Sequence, residues 1–225
     1  IENPEACARY SGILIEGVKV GPSPAWLKNK LQSIGARSIN NIVDITNFIL
    51  HETGQPLHAF DAAKIQGKKV VVKKCAPNSL FTTLDEKERK LTAEDLMICD
   101  IEKPMCIAGV FGGLHSGVSA STSSIFLESA WFENVHIRKT SVHHGLRTDA
   151  ATRFEKGVDI ANTVKVLEKA AAMIQEIAGG TCSKVVDVYP NPAEKVKVSM
   201  TFAYLKKLSG KQYASDKAVA ILTSL

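Results

Sequence analysis

The sequence has no CxxC pair among its five cysteines, Cys7, Cys75, Cys99, Cys106 and Cys182. An odd, scattered set argues against a disulfide framework. It fits reduced thiols in a cytoplasmic protein, mostly buried as small apolar residues. The GK[ST] phosphate loop and the GxGxxG fingerprint are also missing, although Gly109, Gly112, Gly113 and Gly117 cluster. Mononucleotide binding is therefore not expected. His136, His143 and His144 stand without HExxH and without a Cys or carboxylate at ligand spacing, so no metal site is predicted. There is no GxSxG elbow, and Cys106 sits in an apolar strand pattern, so neither a serine nor a cysteine nucleophile is supported. No apolar run is long enough to span a membrane and no signal-peptide pattern opens the chain, so no membrane partner is expected.

A length of 225 residues allows one large domain, or one domain and part of another, and 45% hydrophobic residues are ordinary for a packed core. The net charge of +5 is mildly basic, which alone is weak evidence for nucleic acid. The pattern predicts a strand over Ile13 to Val20, then a helix capped by Ser23 and Pro24 with Leu27, Leu31 and Ile34 inward and Gly35 at its end. Further strands are predicted over Lys69 to Cys75, Leu80 to Leu84, Met97 to Cys99, Met105 to Val110 and Ile125 to Ala130, with a hairpin turn at Asp85 to Glu88. A long helix from about Ile160 to Ala178 is capped by Asp159, stopped by Gly179 and Gly180, and turns Val164, Leu167, Ala171, Ile174 and Ile177 inward. A strand over Lys184 to Tyr189 precedes a linker at Pro190, Asn191 and Pro192. The expected division is one domain over 1–190, then a linker and the start of another module over 191–225. The chain begins at Ile1 and stops inside an apparent helix, Asp216 to Leu225, so it reads as a piece of something longer. Irregularly mixed strands and helices indicate an α+β fold of layered mixed sheets with packed helices.

The densest signal is Arg37 to Asp61, RSINNIVDITNFILHETGQPLHAFD. Ile42, Ile45 and Ile49 mark one face of a helix that Asn40 or Asn41 can cap and Gly54 can close. Pro56 forbids its continuation, leaving His58 and Asp61 just past a sharp stop. Packing does not call for Asp44, Thr46 and Asn47 in that helix, and polar groups at this density suggest a site. Glu128 shares a strand face with Phe126 and Ala130, where a carboxylate must find a partner or stay hydrated. As an edge-strand surface residue it would need no further account.

This stretch resembles the editing domain of the bacterial phenylalanyl-tRNA synthetase beta subunit family. The resemblance also rests on SPAW from Ser23, IAGVFGGLHSGV from Ile107, FLESAWF from Phe126 and GLRTDAATRFEKGVD from Gly145, in the family's order along nearly the whole chain. It implies that the chain hydrolyses tyrosine wrongly esterified to tRNA(Phe), with Glu128 accepting a hydrogen bond from the phenol and Ala130 beside it. It places His58, Thr46 and Asn47 in the catalytic pocket. Ala108, Gly109 and Gly112 line the amino-acid pocket, Arg37 meets the terminal adenosine or its phosphate, and Thr148 and Ala150 line it further. It implies a heterotetramer of two alpha and two beta subunits of a class II ligase. ATP and magnesium serve the whole synthetase, with no cofactor in this fragment. Cys106 and Phe111 stand where the family usually has Ile-like and Met residues, and Ala151 where Ser is common. The rival expectation is a non-catalytic structural or RNA-binding fragment, idle outside the assembly.

Overall fold

The computed structural model describes residues 1–194 and 196–224, which fall into two compact units, Ile1–Asn191 and Pro192–Leu225. In the first, β1 (Cys7–Glu16) leads to α1 (Ala25–Ser33), α2 (Asn41–Thr53) and β2 (Leu57–Asp61). Six short strands follow: β3 (Val71–Lys74), β4 (Leu80–Thr82), β5 (Glu88–Lys90), β6 (Leu96–Cys99), β7 (Pro104–Ile107) and β8 (Phe111–Gly112). Then come β9 (Ser124–Phe132), α3 (Asn134–His144), α4 (Asp149–Lys156), α5 (Thr163–Ala178), β10 (Thr181–Cys182) and β11 (Val186–Val188).

The larger sheet has five strands in the order β10-β1-β9-β2, with β11 also on β1. The second has four, β3-β6-β7-β8, and β4 and β5 form a separate hairpin. Every ladder is antiparallel. The period of two along β1, β2 and β9 sorts side chains into two cores. Ile13, Ile15, Ala59, Ile125 and Leu127 pack on Leu27, Leu31, Ile42, Ile45, Ile49, Leu167 and Ile174 of the helices. Tyr10, Phe60, Ala130 and Phe132 pack on Val72, Met97, Ile98 and Ile107 of the second sheet. The result is the layered α+β class expected: helices, sheet, sheet.

Several boundaries differ from expectation for local reasons. β1 starts at Cys7 and ends at Glu16, because Gly17 turns at φ 78° and its N–H, with that of Val18, bonds Ser123 O. Pro24, not Ser23, is the N-cap of α1, and the Ser23 hydroxyl is used elsewhere. Ile34 falls past the last turn and is exposed. α2 follows its pattern: Asn40 Oδ1 accepts from Ile42 and Val43 N–H, and Gly54 closes the helix at φ 78°. The 83–87 turn has no glycine, and Glu86 takes the left-handed conformation at φ 61°. Val164 and Ile177 flank the buried stripe of α5, and Val166 and Ala170 complete it. α3 was not anticipated; it buries only Ile137, Thr140 and Ser141, too few to give a helical period.

The second unit contains α6 (Phe202–Ser209), capped by the Thr201 hydroxyl and ended by Gly210 at φ 70°, and α7 (Ser215–Thr223). The helix expected to Leu225 ends within the described residues at Thr223; Leu225 itself lies outside them.

Candidate functional site

A cavity of about 450 Å³ opens at the β2 edge of the larger sheet. That is within the range of pockets that hold small ligands. Four segments supply most of its wall. α2 contributes Val43, Thr46, Asn47 and Leu50, and the two edge-side strands contribute Leu57, His58, Ala59 and Glu128. The turn joining β7 to β8 adds Cys106, Gly109, Val110, Phe111 and Gly112, and the start of α4 adds Thr148, Asp149 and Ala150.

His58 and Glu128 are register partners across β2 and β9, so their side chains rise from the same face as neighbours. Asp61, three residues on, belongs to the opposite face and is not part of this site. Its carboxylate caps the turn at 62–64 and accepts from Thr122 Oγ1 at 2.7 Å. The His58 ring meets the Phe60 ring edge-on, with centroids 4.4 Å apart. Its Nε2 is shielded from solvent and has no hydrogen-bond partner among the described residues. Burial lowers its pKa to about 4, so the imidazole is neutral at neutral pH.

Glu128 is 5% exposed. Burial raises its pKa to about 8, and a hydrogen bond from Tyr10 works against that rise. Tyr10 Oη donates to Glu128 Oε2 at 2.7 Å. Two corrections to the sequence reading follow. The carboxyl is mostly protonated at neutral pH, and one of its oxygens is already paired before any ligand arrives. Burial and the nearby Glu128 also push the Cys106 thiol up, and its Sγ donates to backbone carbonyls at 3.3 and 3.4 Å. This is a structural thiol, not a nucleophile.

The remaining polar groups are positioned by local bonds. Thr46 Oγ1 donates to Val43 O at 2.8 Å, which leaves it an acceptor. Thr148 caps α4 by accepting from Ala151 N–H, and donates to Val110 O at 2.8 Å, tying α4 to the glycine-rich turn. The Asn47 side chain has no hydrogen bond among the described residues. Gly112 makes room for His58: a Cβ there would sit 3.0 Å from its Cε1 and 2.8 Å from Leu84 Cδ1. Gly109 is required for its φ of 66°, and its missing Cβ faces Ile137, Phe132 and Phe154.

Thus Thr46, Asn47, His58, Gly109, Gly112, Glu128, Thr148 and Ala150 converge on one cavity. Three of the other residues singled out do not line it. Ala108 and Ala130 are buried in the adjoining core, and Arg37 is exposed. Asp44 is structural. Fully buried, it accepts from the Ser23 and Ser38 hydroxyls and from Ile39 N–H, fixing the segment that brings Ile39 and Asn40 to the cavity wall. Tyr10 and Leu84 were missed. Leu84 reaches the wall from the 83–87 turn, where an apolar residue with no period was the available sign. Among the described residues no three His, Cys, Asp or Glu converge as a metal site; His136 contacts Glu133 and His144 contacts Asp95, each at 2.8 Å.

The cavity therefore offers apolar walls, a neutral, half-buried imidazole and a carboxylic acid with one free oxygen. Such a lining suits a compact ligand with an aromatic or aliphatic body and polar ends. A family model described as the B3/4 domain matches residues 6–179. The chain belongs to the B3/4 domain family. Over its whole length it is 51% identical to the phenylalanine–tRNA ligase beta subunit of Bacteroides fragilis (strain YCH46). The protein of the same name from Porphyromonas gingivalis (strain ATCC BAA-308 / W83) is also 51% identical, and that from Carboxydothermus hydrogenoformans (strain ATCC BAA-161 / DSM 6008 / Z-2901) is 47% identical. The chain spans 28% of the length of each of these relatives. A crystal structure of an N-terminal fragment of the phenylalanyl-tRNA synthetase beta subunit from Pyrococcus horikoshii overlaps 96% of this chain and 59% of its own, with a TM-score of 0.49 and 13% identity.

Proposed function

We propose that the unit over 1–190 is the editing domain of a phenylalanine–tRNA ligase beta subunit and hydrolyses tyrosine wrongly esterified to tRNA(Phe). The observation that carries this reading is the cross-strand His58–Glu128 pair, both neutral, in a cavity of amino-acid size. The stretch over 191–225 is then a linker and the start of the next module. The whole ligase, with its alpha subunit, ATP and magnesium, performs aminoacylation in the cytoplasm, and this chain only removes the wrong product.

An aminoacyl ester is already activated, so placing a water against it accounts for much of the required acceleration. A base with a pKa of about 4 provides little driving force for proton abstraction. The role of His58 is accordingly to accept a hydrogen bond from the attacking water and orient it, through Nδ1, because Nε2 is closed to water. Thr46, an acceptor, and the free amide of Asn47 hold the same water or the ester, and a ribose hydroxyl of the terminal adenosine assists. No covalent intermediate and no metal take part in this scheme.

Selectivity comes from Glu128. A tyrosine phenol satisfies its free oxygen, whereas phenylalanine leaves that oxygen buried and unpaired. The difference is about 1–3 kcal/mol, or roughly 5- to 150-fold. Because Tyr10 already satisfies Oε2, the discrimination is that of one oxygen, not of a bare carboxylate. A time course of tyrosine release from tyrosyl-tRNA(Phe), with this chain and with His58→Ala, tests the scheme. Release should slow by about 100-fold on substitution, the cost of a misplaced attacking water. Unchanged release would remove His58 from it. Salt-dependent tRNA affinity without any hydrolysis would replace the hydrolase reading with that of a non-catalytic RNA-binding module.

A further inference from the structure

We propose that Tyr10 is a positioning residue for specificity: its phenol holds Oε2 of Glu128 and leaves Oε1 as the carboxyl oxygen that the cavity presents to a ligand. The inference rests on the reading of Glu128 above and deepens it.

The geometry is built from two strands. Gly12 is the β1 register partner of Glu128, and Tyr10 is the partner of Ala130, so the phenol reaches Glu128 along a diagonal on the same face. Gly12 carries no side chain on that face, and the ring of Phe126 fills the space, within 2.1 Å of where a Gly12 Cβ would be. Tyr10 is 7% exposed, packs in the core and does not line the cavity, so it acts through Glu128 and not on a ligand. Among the described residues, Oε2 has this one partner and Oε1 has none.

The direction of the bond decides what Oε1 can do. Burial and the neighbouring Glu128 keep the Tyr10 phenol protonated, so it is the donor. The carbonyl oxygen of a carboxylic acid is the better acceptor, so the acid proton is left on Oε1. The other titratable groups facing Glu128 are Cys7 of β1, Cys106 of β7 and His58 of β2. Burial holds all three neutral at neutral pH, so none competes for that proton. The ligand class that follows is an aromatic side chain carrying an oxygen that accepts a hydrogen bond from Oε1. Without Tyr10, both carboxyl oxygens are free to rotate and the donor direction is lost.

The test is the ratio of the affinities for L-tyrosinamide and L-phenylalaninamide, measured by NMR titration on one preparation of each chain. A ratio taken on one preparation is independent of how much of it is folded, so a merely structural role of Tyr10 would not move it. The unsubstituted chain should prefer tyrosinamide. Tyr10→Phe should lower that preference by about five-fold. In the Glu128→Ala background, where no carboxyl is left to position, the same substitution should have no further effect, because the two act as one unit. An unchanged ratio in Tyr10→Phe overturns the proposal, as does an equal fall in both backgrounds or no preference in the unsubstituted chain. A chain that shows the expected ratios but does not hydrolyse tyrosyl-tRNA(Phe) refutes the hydrolase reading alone.

Discussion

Replacing Glu128 with Gln keeps the side chain's shape and its hydrogen bond to Tyr10, and removes a group that burial holds far from its ordinary titration range. The carboxyl moves from an ordinary value of 4.5 to about 8 in the fold. Between those values the folded chain binds a proton that the unfolded chain has released, so stability falls as pH rises and levels off above about 8. From pH 5.5 to pH 9 this one group costs the fold about 3 kcal/mol. Urea unfolding at pH 5.5, 7 and 9 measures it directly. The Glu128→Gln chain should gain on the unsubstituted chain by about 3 kcal/mol across that range, with the same urea dependence. Parallel stability curves for the two chains would refute the claim that Glu128 is buried as an acid.

His58 gives the opposite slope. Its pKa is about 4 in the fold against an ordinary 6.5, so stability present above 6.5 is lost as pH falls through that window; His58→Gln should abolish about 3 kcal/mol of acid sensitivity between pH 7 and pH 4 in the same unfolding assay. Gly112→Ala puts a methyl group 3.0 Å from the His58 ring and 2.8 Å from Leu84. It should destabilise the fold by about 1–3 kcal/mol and slow tyrosyl ester hydrolysis by about ten-fold or more, read from a melting curve and a single-turnover assay. Asp44→Ala leaves two hydroxyls and the Ile39 N–H without their acceptor and should cost about 2–4 kcal/mol in urea unfolding, with Asp44→Asn losing less.

Local rules made much of the site helix legible. Ile42, Ile45 and Ile49 keep the helical period, and Asn40 and Gly54 sit where capping chemistry puts them. Strand alternation also put Glu128 on the correct face. What escaped depends on contacts between distant segments. Asp44 reads as a site residue until Ser23 and Ser38 are seen to claim it. Tyr10 lies 118 residues from Glu128, and no local pattern in β1 marks it as a partner. His58 and Asp61 look like one cluster in the sequence, but an odd spacing on a strand sends them to opposite faces. The residues brought together by the resemblance fall on one cavity except where an alanine is packed into the core or, as with Arg37, the segment turns outward.

The central claim is a hydrolytic site that reads a phenol through Glu128. The most direct measurement is ester hydrolysis of matched tyrosyl- and phenylalanyl-tRNA(Phe), by this chain and by Glu128→Ala. The account predicts loss of tyrosine well ahead of phenylalanine, with the difference largely erased by the substitution. Equal rates for the two esters in the unsubstituted chain, or a preference for tyrosine that survives Glu128→Ala, would contradict it.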